Sequence, residues 1–184
     1  LSSAVNSETL LVSIMAANNE IGTVHDIAAI GEICARAGAL FHTDAAQAVG
    51  KIHVDVAKMG IHLLSVSGHK IYGPKGIGAL FVSSDAEELL TPIIFGGGQE
   101  RGLRSGTVPV PLCMGLGAAC EIAIAELEQE QKRIGSMRDR FLELLTDRIA
   151  GLRVNGGLQH RLAGNLNIEI PGVPAEGLLT RMQD

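Results

Sequence analysis

The sequence predicts an α/β fold with a mostly parallel central sheet and flanking helices, followed by the start of a smaller α+β domain. Three observations predict it. Short apolar runs of β type alternate with helical patterns, an order that produces parallel strands joined by crossovers. Helix-capping residues stand at the junctions between these runs. The residues just after three of the apolar runs are unusually polar, and that is where open α/β sheets place their ligands.

Residues 10–15, LLVSIM, read as a buried strand. Asp26 can cap a helix in which Ile27, Ile30, Ile33 and Cys34 recur at three- and four-residue spacings, and Gly38 stops it. Residues 39–43 form the next strand, residues 54–58 a short helix ended by Gly60, and residues 61–66 and 77–82 two further strands. Beyond Pro109 and Pro111 the pattern is helical to about Ala150, rich in Gly and Ala at first and charged from Glu126 to Arg140. The charged face reads as solvated. Residues 164–170 alternate enough to be a strand, and Pro174 begins a final helical turn. A junction near Glu128 divides residues 1–128, part of a large domain, from residues 129–184, an incomplete C-terminal small domain.

With 184 residues and 46% hydrophobic content the chain can bury a core. Its 15 basic and 20 acidic residues leave a formal charge of −5, with no basic block for nucleic acid or an anionic membrane. No apolar stretch is expected to approach the roughly 20 residues of a membrane-spanning helix. Neither a charged nor an apolar signal region opens the chain. The three cysteines, Cys34, Cys113 and Cys120, lack C-x-x-C spacing, which argues against a disulfide framework or zinc knuckle and for a reducing compartment. All three fall in helical patterns and read as core thiols. With no initiator Met and an abrupt stop at Asp184, the chain reads as an excerpt from a longer protein.

The polar clusters are Asn18-Asn19-Glu20, Asp44-Ala45-Ala46-Gln47 and Ser67-Gly68-His69-Lys70. Singly, Lys70 would be a solvated lysine and Asp44 a cap or turn residue. Their coincidence at three strand ends is the signal. The set suits electron-sink catalysis with pyridoxal phosphate (PLP): an amine condenses with the cofactor aldehyde, a carboxylate keeps the pyridine nitrogen protonated, and hydroxyl and imidazole donors take the phosphate. Lys70, Asp44, Ser67 and His69 match those roles, and Gly68 lets the backbone approach a ligand. Rival glycine motifs fail. Pro74 precedes Lys75 where a phosphate loop needs Gly-Lys-Ser/Thr, and Gly96-Gly97-Gly98 lacks dinucleotide spacing. His42 reads as structural, and His25, His53, His62 and His160 have no paired spacing, so no metal is assigned.

The runs NNEIG at 18–22, FHTDAAQ at 41–47, SVSGHKIYGPKG at 65–76 and GGGQERGLRSGT at 96–107 are similar, in that order, to class V PLP enzymes. More narrowly they resemble cysteine desulfurases of the iron–sulfur cluster assembly type. The resemblance extends over nearly the whole chain, weakening between Gly151 and Leu162. It implies the PLP-dependent transferase fold type I, with Lys70 as the Schiff-base lysine and catalytic residue. It makes Asp44 the pyridine-nitrogen partner, Gln47 a donor to the ring hydroxyl, Asn19 a residue near the same edge, and Ser67 and His69 phosphate ligands. In the family the residue at Thr107 reaches the phosphate of the neighbouring subunit, so a homodimer with shared sites is implied.

The activity implied for the intact protein is conversion of L-cysteine to L-alanine and an enzyme persulfide, with the sulfur passed to an iron–sulfur scaffold protein. Alternatives are a selenocysteine lyase or another class V aminotransferase, or a non-catalytic PLP-binding fragment. The family's nucleophilic cysteine loop, its N-terminal ring-stacking His and its C-terminal substrate-binding Arg have no counterpart here, so the chain alone is expected not to turn over. His62 stands where family members usually have an acidic residue, away from the PLP contacts. The implied compartment is the cytoplasm, with the mitochondrial matrix as the alternative.

Overall fold

The structure is a computed structural model that describes residues 1–182; Gln183 and Asp184, the last two residues of the expected second domain, lie outside them. The chain divides into two units, one of residues 1–17 and 25–127 and one of residues 18–24 and 128 onward.

The first unit is built on four strands, β1 (Leu11–Met15), β2 (Leu40–Asp44), β3 (Leu63–Ser67) and β4 (Gly78–Val82), side by side in that order. The first three are parallel, with Val12 opposite Phe41 and Thr43 opposite Leu64. β4 runs antiparallel to β3. The ten residues between Ser67 and Gly78 are fewer than a parallel return needs, so the chain folds straight back.

Helix α1 (Ile27–Ala37) forms where its caps predict: Asp26 accepts from the Ala29 N–H, and Gly38 adopts the left-handed conformation that closes the last turn. Its apolar stripe joins one face of the sheet in a core of Val12, Ile27, Cys34, Phe41, Ile61, Leu64 and several alanines. Phe41 is wholly buried there, a burial that contributes roughly 2–3 kcal/mol. Thr43 is buried beside it, and its hydroxyl donates to the Ile14 carbonyl at 2.9 Å, so no polar group is stranded.

The helix expected at 54–58 is a single turn. Asp55 Oδ1 accepts the N–H groups of Ala57 and Lys58, and Gly60, at φ 60°, turns the chain away after one helical hydrogen bond from Met59 to Asp55. One turn does not offset the cost of helix nucleation. A four-residue helix not foreseen from the sequence, α2 (Ser84–Glu87), forms under its own cap, Ser83.

Helix α3 runs from Val110 to Thr146 and includes the point of division between the units. Contrary to expectation, it contains an 18-residue stretch long and apolar enough, by length and composition, to cross a membrane. Val110, Leu112, Met114, Leu116, Ile122 and Ile124 stand there among Gly and Ala with few charges, and together they produce that composition. Cys113 and Cys120 lie on this helix half-buried, whereas Cys34 on α1 is the core thiol expected.

In the second unit, β5 (Arg153–Val154) pairs antiparallel with β6 (Ile168–Glu169), and α4 (Ala175–Arg181) follows Pro174. The strand expected over 164–170 is thus confined to its end. Its first part performs a different task. Asn165 and Asn167 donate through their side-chain amides to the Glu20 carbonyl at 3.0 and 3.2 Å. The Leu162 N–H donates to Gly22 at 2.8 Å, and the Val24 N–H to His160 at 2.9 Å. Arg161, buried, holds Asn165 Oδ1 at 2.8 Å and also donates to the carbonyls of Gly157 and Asn155. The turn at 18–24 is clasped by these groups. Asn165 also fills the space a Cβ on Gly22 would need, and Gly22 has φ 72°.

Candidate active site

The pleat of the sheet sorts the residues of each strand onto two faces. Val12, Phe41, Thr43 and Leu64 point into the core, which leaves Ser13, His42, Asp44, Ser65 and Ser67 on the other face. A chain of hydrogen bonds crosses three strands there: Ser13 Oγ to His42 Nδ1 at 2.7 Å, and His42 Nε2 to Ser65 Oγ at 2.9 Å. His42 is therefore the satisfied structural histidine expected. Its two serine partners lie 29 and 23 residues away in sequence, and only strand register brings them together.

At the carboxyl ends of the same strands stand the expected site residues. Asp44 is the last residue of β2, opposite Ser65, and Ser67 is the last residue of β3. Asp44 Oδ1 accepts the Ala46 N–H at 2.9 Å, which folds the chain into the turn that carries Gln47. After Ser67 the chain enters a 3₁₀ turn, Gly68–Ile71, closed by Tyr72 in the left-handed conformation. Its backbone is packed tightly. A Cβ on Gly68 would lie 2.9 Å from Ile77 Cγ2 and 3.0 Å from the Pro74 carbonyl, so only glycine fits. Ser67 Oγ and His69 Nδ1 are 3.0 Å apart. His69 and Lys70 are exposed.

Lys51 was not among the sequence candidates. Its ammonium donates to Gln47 Oε1 at 2.8 Å. Burial first, and then the charge of Lys70, lower its pKa from the ordinary lysine value. Lys51 therefore touches Gln47 and lies within reach of the Lys70 charge. The four-residue spacing from Gln47 to Lys51 was the available signal.

Two further expected site residues lie on other segments of the chain. Thr107 is exposed on a separate loop of the first unit, and Asn19 is exposed on the clasped turn of the second. The roles expected for both rest on family resemblance.

The donor set suits PLP. It contains an acceptor-only carboxylate, a hydroxyl and an imidazole side by side, an amide and an exposed primary amine, all at the ends of two adjacent parallel strands.

The comparisons agree with this class. A model of the aminotransferase class-V family matches residues 1–184, and the chain belongs to that family, whose members are PLP-dependent and share transferase fold type I. Its relatives are cysteine desulfurases. The chain is 54% identical over its whole length to a probable mitochondrial cysteine desulfurase of Dictyostelium discoideum, covering 41% of that protein. It is 49% identical over its whole length to the cysteine desulfurase IscS of Rickettsia akari, covering 45% of it. Among solved structures, a NifS-like protein superposes with a TM-score of 0.92 at 35% identity, over 99% of this chain and 49% of that one. The chain thus spans less than half the length of these relatives.

Proposed function

We propose that the protein to which this chain belongs is a PLP-dependent cysteine desulfurase, converting L-cysteine to L-alanine and a persulfide on an enzyme thiol. The observation that carries this reading is the placement of Asp44 and Ser67-Gly68-His69-Lys70 at the ends of adjacent parallel strands, with Gln47 and Lys51 beside Lys70. PLP, when bound, supplies an electron sink that drains charge from the substrate carbon skeleton.

The chain's own residues hold and direct that group. The Lys70 amine would anchor the cofactor through its aldehyde and would move protons at the substrate. The Asp44 carboxylate would accept the pyridine N–H and keep its proton in place. Ser67 and His69 would donate to the phosphate, and the Gln47 amide would donate to the ring oxygen. Thr107 would donate to the phosphate in the neighbouring subunit, which makes a homodimer part of the proposal.

The sulfur acceptor within the enzyme is not Cys34. It is buried, and burial raises its pKa, whereas the nucleophile must be a thiolate. Sulfur would leave as a persulfide for an iron–sulfur scaffold protein, consistent with the IscS name of one relative. The cytoplasm or the mitochondrial matrix is the compartment that fits the relatives' names and the free thiols. No membrane association is proposed.

The test uses the full-length protein with PLP and L-cysteine. Alanine formation and, with a reductant, sulfide release are expected, and both are lost in Lys70→Ala. A Lys70→Ala protein that still forms a borohydride-reducible adduct with PLP at the same site overturns the assignment.

A further inference from the structure

A primary amide is two-ended: its oxygen accepts and its nitrogen donates, and which end meets a ligand depends on what holds the other. At Gln47 that choice is made by Lys51. An ammonium has three donors and no acceptor, so the 2.8 Å contact from Lys51 Nζ is to the amide oxygen. The NH₂ end of Gln47 is left to face a ligand.

The scaffold for this bond is stiff. Ala48 and Val49 donate to the Ala45 carbonyl, and Lys51 and Ile52 to the Ala48 carbonyl. Ala45 and Ala48 are themselves wholly buried in the core. Two consecutive turns therefore fix the backbone between the two partners. Lys51 is half-buried, which strengthens a charge-assisted bond relative to one in water. Burial first, and then the charge of Lys70, lower the pKa of Lys51.

We propose that Lys51 is a positioning residue of the cofactor site: it fixes the Gln47 amide with its NH₂ end presented as a donor, and it sets a positive charge beside Lys70. The assignment rests on the PLP-binding reading above. Lys51 does not touch the cofactor in this account; it acts through Gln47 and through its field.

The experiment measures PLP affinity and the absorption spectrum of bound cofactor in the full-length protein, wild type, Lys51→Met, Lys51→Arg, Gln47→Leu and the Lys51→Met/Gln47→Leu double variant. Thermal melting monitors folding. Lys51→Met is expected to weaken PLP binding about tenfold, the scale of one charge-assisted hydrogen bond. At a fixed, mildly alkaline pH it should raise the share of cofactor in the protonated, longer-wavelength form, because a donor and a cation that oppose that proton are gone. Lys51→Arg, which keeps charge and donor, should restore both. In the Gln47→Leu background Lys51→Met should cost little further affinity, since its route through the amide is already removed.

Equal affinity losses in both backgrounds, or a Lys51→Met protein with wild-type affinity and spectrum, overturn the proposal while leaving the PLP reading intact. A wild-type protein that takes up no PLP overturns the reading and this assignment with it.

Discussion

Gly31 of α1 lies against the backbone carbonyl of Met59 so closely that an added Cβ would overlap that oxygen. Two effects of Gly31→Ala compete. Alanine favours the helix by about 1 kcal/mol. Overpacking against a carbonyl that cannot swing aside costs about 1–3 kcal/mol, and the overlap here is severe. The net expectation is a loss of about 1–2 kcal/mol, seen as a lower midpoint in denaturant with an unchanged slope. A Gly31→Ala protein more stable than wild type would show that helix and loop can move apart.

Asp44 offers a way to separate chemistry from folding. Asp44→Asn keeps an oxygen to accept the Ala46 N–H, so the turn should survive, but it removes the charge proposed to face the pyridine nitrogen. The expected result is a melting temperature near wild type with activity lower by about a hundredfold or more, on the scale of losing one electrostatic partner of a reacting group. Asp44→Ala should lose the same activity and, in addition, about 1 kcal/mol of stability from the lost hydrogen bond. Steady-state kinetics and melting on the two variants check both statements.

Cys34 should give alkaline sensitivity. Its pKa is raised by burial, which outweighs an opposing hydrogen bond to its backbone. A raised folded value means the folded state keeps its proton after the unfolded state has lost it. Stability from this group is complete below the ordinary thiol value of about 8.5 and falls as pH rises from there through the folded value. Unfolding measured across that range should show the decline, and Cys34→Ala, though less stable throughout, should show a shallower one. In the native protein Cys34 should also react with a thiol reagent more slowly than Cys113 or Cys120, which are half-buried.

Asn165 holds the 18–24 turn and is itself held by Arg161. Asn165→Ala removes an acceptor from a buried guanidinium and a donor from the Glu20 carbonyl, which should cost about 1–3 kcal/mol. Hydrogen exchange at the Leu162 and Val24 amides, both bonded across the clasp, should accelerate. Unchanged protection at those amides would mean that the backbone bonds alone hold the turn.

What could be read from the sequence was what short-range physics decides. Asp26 and Gly38 bound α1 because a side-chain acceptor and a left-handed residue act within a few residues of the helix ends. β1, β2 and β3 were legible as apolar runs, and the polar clusters beyond them marked strand ends. Lys70, Asp44, Ser67 and His69 were candidates because their types and spacing suit one chemistry, and the role of Gln47 was implied by family resemblance.

The tertiary structure decided the rest, because those features depend on residues far apart in the chain. Alternation at 164–170 suggested a strand, yet Asn165 and Asn167 are occupied by a turn some 145 residues earlier. The serine partners of His42 come from strand register, not from sequence distance. The sequence determined which polar groups follow the strands. Only the fold placed Lys51 against Gln47 and beside Lys70, since burial and the summed field of neighbouring charges exist only once distant segments have packed.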